Sequence, residues 1–408
     1  MKIFFMIGWR NLWRNKRRSL VVISSIAVGI FVMLLSMGIL NGMNNQMVEN
    51  TIRTSLGHIS VHQKGFQDDM KLQNSFIPSP ELQSSLTDIP AYAPRIKIEG
   101  MIRSSEASRG VLIMGIDPKR EESVTEIYNY MLNTEGSSYL SDPGAKEILI
   151  SKVLADKLDL VLGDKLVLMF QDVNKEIISI ALKVKGLFQS PIDSFDKFVV
   201  FVGIDTLREF TGLGEKISEI TIRAENRNRV DAIADFIKQS LEGSDVEVLT
   251  WKEMAPNLLR AIALFDSMMY VFFGIIFITV VFSIANTLIM AIMERFREIG
   301  VMKSIGTRPL WIGSMVLFEA INLGAVGLIA GTVMGGSVTL LLSITGIDFS
   351  FFMDSVRSLG MGHIIYPALK SMDIIVCTFI VFTTTIIAAV YPAVKAAMIK
   401  PLDALHYI

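Results

Sequence analysis

Residues 294–309 read ERFREIGVMKSIGTRP, a dense charge cluster placed directly after 27 residues, 267–293, that contain no Asp, Glu, Lys or Arg. Within a few residues a second apolar run begins, around 311–347, charged only at Glu319. A helix rises about 1.5 Å per residue and the bilayer's hydrocarbon core is roughly 30 Å thick, so about 20 apolar residues cross it. The quoted stretch therefore predicts a helical hairpin that turns round at a membrane surface. On a helix, Phe296, Ile299, Met302 and Ile305 recur every third residue as an apolar stripe, with Glu294, Arg297, Glu298 and Lys303 mostly off it. Gly306 can close that helix in the left-handed conformation, and Pro309 can open the next. These residues fit a helix that merely connects two spans and one shaped to be gripped by a partner equally well.

Two further runs are long enough to cross, 19–40 (SLVVISSIAVGIFVMLLSMGIL) and 374–394. Buried core helices of a soluble protein seldom run past 20 residues without a charge, and four such runs in one chain favour the bilayer. Composition agrees: 51% of the 408 residues are hydrophobic, only 19% are charged, and mean hydropathy is +0.47. A net charge of −1 gives no global excess to attract nucleic acid. The single cysteine, Cys377, lies in an apolar run and is read as packing.

Orientation follows from the cations. Lys2, Arg10, Arg14, Lys16, Arg17 and Arg18 precede the first run, and no acidic residue comes before Glu49, so the positive-inside rule puts the N-terminus in the cytoplasm. The run exceeds a signal-peptide core of 7–15 residues and exits without a small-x-small cleavage pattern, which favours a retained anchor. Trp9 and Trp13 interleave with the charges as an interfacial helix would need. Counting spans predicts a cytoplasmic basic amphipathic segment at 1–18, spans at 19–40, 267–293, 309–347 and 374–394, and an outer domain at 41–266. It also predicts an inner hairpin at 294–308, a short outer loop at 348–373 and a cytoplasmic tail at 395–408. The expected class is an α+β membrane protein: four transmembrane helices, with a large mixed α/β extracytoplasmic domain between the first and second.

In that domain of 226 residues, segments such as HISVHQ (58–63), PRIKIEG (94–100), KLVLMFQ (165–171), EIISIALKVKGLF (176–188) and KFVVFV (197–202) have strand character. KVLADKLDL (152–160), DTLREFTGL (205–213) and RVDAIADFIKQSLEG (229–243) have helical period. WKEMAPNLLRAIALFDSMMY (251–270) reads as helix running on into the second span, and QDVNKE as a short hairpin turn. No catalytic constellation is visible. His58, His62, His363 and His406 lack metal-ligand spacing, so no metal site is expected, and no phosphate-cradling G-x-x-x-x-G-K-[ST] occurs. The chain is read as a non-enzyme.

ERFREIGVMKSIGTRP resembles the E-R-x-R-E-I-G-x-x-x-A-x-G-A segment of FtsX-like permeases, ABC transporter membrane subunits that include the MacB efflux permease and the lipoprotein-releasing Lol permeases. Glu294, Arg295, Arg297, Glu298, Ile299, Gly300 and Gly306 match it, while Ser304 and Thr307 replace small alanines. The resemblance implies that this segment is a coupling helix, docking on a separate LolD-like ATPase subunit that binds ATP and Mg. The closing YPAVKAAMIKPLDALHY is similar to the family's C-terminus at Pro392, Ala393, Ala396, Ala397, Pro401, Ala404 and Leu405, with His406 where arginine is common. FEAINLGAVGLIAGTVMGG looks like its glycine-rich third span. Glu319 opens that span, as an intramembrane carboxylate facing protein or as an interfacial one near the inner headgroups. The glycines at 324, 327, 331, 335 and 336 include spacings that permit close helix packing.

Stretches of the outer domain look more like LolC and LolE than MacB. One departure stands out: the strands corresponding to KLVLMFQ and EIISIALKVKGLF are separated in LolC by a long hook that receives a periplasmic lipoprotein carrier, and here by about four residues, DVNK. The resemblance implies a type VII, mechanotransmission transporter of two permease subunits, identical or different, with two ATPases. Its cargo is then lipoprotein drawn from the inner membrane. A MacB-like exporter and an FtsX-like scaffold that activates a cell-wall hydrolase are the alternatives. For acyl chains entering between the outer ends of spans one and two, Met37, Leu40, Met43, Met268, Met269, Phe272 and Phe273 stand at a suitable depth; ordinary lipid-facing or packing roles suit them equally.

Overall fold

A computed structural model describes residues 10, 14, 16–87 and 89–401. Lys2, Trp9, Trp13, Ala404, Leu405 and His406, invoked above, lie outside them. Among the described residues, four helices are long and apolar enough to cross a membrane: α1 (Lys16–Thr51), α2 (Pro256–Glu294), α4 (Pro309–Thr345) and α5 (Ser371–Ala397), with the short α3 (Phe296–Ser304) between α2 and α4. At 36, 39 and 37 residues, α1, α2 and α4 exceed the ~20 that a bilayer requires. Trp251–Met254 is helical but does not run on into α2, because Ala255 breaks the helix at φ −119°, ψ 57° before Pro256 restarts it.

The chain divides into two units. One gathers the stretch up to Asn44, Ile262–Asp348 and the stretch from Ile364; the other is Asn45–Ala261 with Phe349–His363.

In the helical unit, Ile26, Ile30 and Leu34 of α1 pack with Ile284 and Leu288 of α2, Leu323 of α4, and Cys377 and Ala389 of α5, all buried. Large apolar side chains on the other faces, Phe282, Ile329, Leu341 and Phe379 among them, are exposed, which in a bilayer places them against lipid. Glycine lets α1 and α4 approach closely. A Cβ on Gly331 would stand 2.7 Å from the Ala27 carbonyl oxygen, and one on Gly327 would stand 2.8 Å from the Ile26 Cβ. Polar bonds within the bundle include one from Ser283 to Ser25 at 3.1 Å and one from Asn41 to the buried Asp373 at 2.7 Å.

The α/β unit is built on one sheet of nine strands in the order β3-β7-β4-β6-β5-β2-β8-β1-β9. The strands are β1 (Ile59–Gln63), β2 (Tyr92–Arg103), β3 (Ser108–Ile116), β4 (Glu147–Ser151), β5 (Lys165–Gln171), β6 (Ile177–Phe188), β7 (Val199–Gly203), β8 (Glu219–Ile222) and β9 (Val246–Thr250). The twelve-residue β2 pairs with β8 at its start, β3 along its length and β5 at its end. A closed ring β2-β3-β7-β4-β6-β5 results, which leaves those six strands without an open edge, while β8, β1 and β9 extend from β2 and end at an open β9. Alternation in β5 and β6 sends Leu166, Leu168, Phe170, Ile180, Leu182 and Val184 into the ring's core and the intervening residues outward.

Some local expectations need correction. Asp193–Phe198 is a helix, so the strand read at 197–202 begins at Val199. His58 precedes β1, where its Nδ1 accepts from the Ala224 N–H at 3.2 Å. Helices Pro80–Leu86 and Pro118–Val124 went unread, although Ser79-Pro80 and Asp117-Pro118 each pair a capping side chain with proline at the first helical position.

Candidate functional site

The hairpin turn between α2 and α4 follows from its residues. At Arg295 the backbone leaves helical geometry (φ −108°, ψ 19°), so α2 ends at Glu294 and α3 starts in a new direction. At the other end Gly306 takes φ +92°, the Gly306 N–H donates to the Lys303 carbonyl and the Thr307 N–H to the Met302 carbonyl, both at 3.0 Å. That crossed pair is a Schellman motif, which needs a residue free to adopt positive φ. Arg308, held extended by the proline after it, caps α4, and Pro309 occupies its first turn.

α3 has two unlike faces. Ile299 and Gly300 are buried, and Phe296 and Met302 pack with them against Ile292, Ile312, Val316, Ala393, Ala396 and Ile399. The fourth member of the anticipated stripe departs: Ile305 follows the last helical residue and is 79% exposed. It joins Arg297, Glu298 and Val301 on the outward side, continued past the turn by Leu310 and Trp311. An apolar patch flanked by charges thus faces away from the bundle, at the place where the connection is shortest.

Beneath it lies an ion cluster that the sequence did not reveal. Glu319, 6% exposed, accepts from Arg295 at 3.2 Å and from Arg18 at 3.5 Å; Arg18 also bonds Glu294 at 2.7 Å, and Arg14 reaches Glu298 at 3.3 Å. By sequence, Arg14 and Arg18 read only as orienting charges of a basic interfacial segment. The carboxylate is paired on both sides by guanidiniums, and losing one partner would leave a buried ion pair incomplete. Arg295 and Glu319 also line a cavity of about 220 Å³ with Leu288, Ile299, Met302 and Met315. The cluster therefore brings together Glu294, Arg295 and Glu319, while Arg297 and Glu298 stay outward, Glu298 paired with Arg14, and Gly306 serves the turn.

Of the residues proposed for acyl chains, Met37, Met269 and Phe273 share the helical unit's core. Phe273 and Leu40 are buried, Met37 and Met269 pack on the helical core, Met43 is half-buried, and Met268 and Phe272 face outward. A cavity along α1 and α2, about 470 Å³, is lined by Ser24, Val28, Val32, Ile275, Thr279 and Ser283.

In the α/β unit, the chain leaving α1 passes through a π-helical turn, Ile52–Leu56, anchored to the sheet. The Arg95 guanidinium donates to the Ser55 carbonyl at 2.6 Å, and the Glu126 N–H to the Arg53 carbonyl at 2.8 Å. Arg95 is fully buried and also bonds Glu121 at 2.5 Å and Glu219 at 3.3 Å. Burial alone would raise the Glu219 carboxyl; Lys97, at 2.7 Å, and Arg95 outweigh it and hold the group at about 2. In the same unit Arg357, from the connection between α4 and α5, donates to Asp196 at 2.9 Å and to the Ser190 carbonyl at 3.0 Å. By sequence that connection is only a short outer loop at 348–373.

Four apolar helices, a charged inter-helical turn and a mixed α/β unit define a multi-pass membrane subunit. The profile of the MacB-like periplasmic core domain matches residues 19–240, and that of the FtsX-like permease C-terminal matches 270–401. The chain belongs to this family of ABC transporter permeases. It is 22% identical over 428 residues to the lipoprotein-releasing system transmembrane protein LolC of Neisseria meningitidis, covering 98% of each chain. LolE of Haemophilus influenzae is 19% identical over 427 residues, again 98% of each. The pyoverdine export ATP-binding/permease protein PvdT of Pseudomonas syringae is 21% identical over 412 residues, 98% of this chain and 58% of that protein.

Proposed function

We propose that the chain is the membrane subunit of a mechanotransmission ABC transporter that extracts lipoproteins from the bacterial inner membrane toward the outer membrane. The observation that carries this reading is the end-to-end correspondence with the lipoprotein-releasing proteins, 98% of both lengths, against 58% of PvdT. On this reading both termini and α3 are cytoplasmic, in line with the basic N-terminal residues, and the α/β unit is periplasmic. A separate ATPase, which binds ATP and Mg, docks on the outward face of α3 and pushes it; a second permease subunit, a copy or a partner, completes the complex.

The helices suit this task because their backbone hydrogen bonds are satisfied internally and they move as rods. Work is required: an acyl chain costs about 0.8 kcal/mol per CH₂ to remove from lipid. The turn from β5 to β6 is only Asp172–Glu176, closed by N–H bonds from Asn174 and Glu176 to the Asp172 carboxylate. A carrier would accordingly meet the partner permease or another surface of this one. The match to PvdT favours a second reading, an export permease for a small molecule.

Depleting the protein in its native host decides between them. Lipoproteins of the outer membrane should accumulate in the inner membrane, and an ATPase should co-purify with the tagged chain. Unaltered lipoprotein sorting with changed sensitivity to exported compounds would transfer the assignment to the second reading.

A further inference from the structure

α3 meets the end of α5 through one cation. The Lys303 ammonium donates to the backbone carbonyls of Ala397 and Ile399, each at 2.6 Å. The sequence explains why a donor is wanted there. In a continuing helix the Ala397 carbonyl would accept from the residue four positions on, which is Pro401 and has no N–H. The end of a helix also carries partial negative charge, which an ammonium complements. Around this contact Ile299 packs with Ala393, Ala396 and Ile399. Apolar contact alone leaves a nine-residue helix free to slide on its neighbour, whereas two convergent charge-assisted bonds to backbone atoms determine both its position and its distance. The opposite end of α3 is tied through Arg295 to Glu319, which also holds Arg18 of α1.

We propose that Lys303 is a positioning residue that makes α5 move with α3, so that displacement of the turn reaches the fourth membrane helix as well as the second and third. The proposal deepens the reading of α3 as the element an ATPase pushes, and its first test needs no ATPase. Ser304 and Met398 are both exposed and lie on the two sides of the contact. With Cys377 replaced by alanine, spin labels at S304C and M398C in the full-length chain in lipid nanodiscs report the α3–α5 distance. A single narrow distribution is expected for Lys303, a broadened one for K303M, an intermediate one for K303Q, and a narrow one again for K303R, whose guanidinium can bond both carbonyls.

In the complex with its ATPase, K303M should keep ATP turnover within about twofold while cargo release falls about tenfold, the factor that a lost charge-assisted hydrogen bond carries; K303R should restore release. An unchanged narrow distance in K303M, or full release by it, overturns the proposal. If no ATPase associates with the chain, the function proposed above fails while the distance measurements still decide whether Lys303 holds α5.

Discussion

Asp196 shows how far a residue's place in the fold can move its chemistry. Its carboxylate is fully buried and accepts from the Ser190 N–H at 3.1 Å and from Arg357 at 2.9 Å, but burial outweighs both and pushes the group up to about 6. Asp193, itself bridged to Lys197, adds to the rise. Because the pKa in the fold lies above the ordinary 3.8, the folded state holds the proton more tightly. The stability from this group is complete below pH 3.8 and is lost as pH rises through about 6. Glu219 works in the opposite sense, its contribution present above 4.5 and lost as pH falls through about 2, so the two windows separate. Thermal unfolding of the full chain should therefore show falling stability from about pH 4 to 6, and D196N should remove that slope. Hydrogen exchange across residues 349–363 should follow the same pH course. An undiminished slope in D196N would show that Asp196 is not the titrating group.

Among the elements, the contact of α1 with α4 depends on single atoms. Gly331 lies against the backbone of Ala27, and a side chain there must displace main chain rather than a flexible tip. G331L should cost at least the ~1–3 kcal/mol of an overpacked core, read as earlier unfolding of the purified chain in detergent. Gly336, with nothing within 4 Å of an added Cβ, provides the control: G336L should unfold as the parent does. Equal effects from both would mean that helix propensity, not close approach, governs this face. The π-helical turn at Ile52–Leu56 is a second such element, since Arg95 supplies a donor to a carbonyl that the end of the helix leaves open.

For the whole molecule, the open question is what covers the outward face of the turn. Ile305 and Leu310 are 79% and 81% exposed and contribute little to folding. I305S with L310S should leave thermal stability unchanged but reduce ATPase recovered with the chain by tenfold or more, since burying each side chain in a partner is worth about 1.5–3 kcal/mol. Undiminished recovery would direct attention to another docking surface.

Membrane spans, the hairpin turn and most strands were legible in the sequence because each depends on local pattern: a long uncharged run, a three-residue apolar period ended by Gly306 and Pro309, and two-residue alternation in β5 and β6. Partnerships were not. Arg18 reaches Glu319 across 301 positions, Arg357 reaches Asp196 across 161, and Lys303 meets α5 more than 90 residues on. A charge on its own looks the same whether it faces solvent, headgroups or a buried counter-ion; only packing decides, because ion pairing depends on distance in space and on the water that burial has removed.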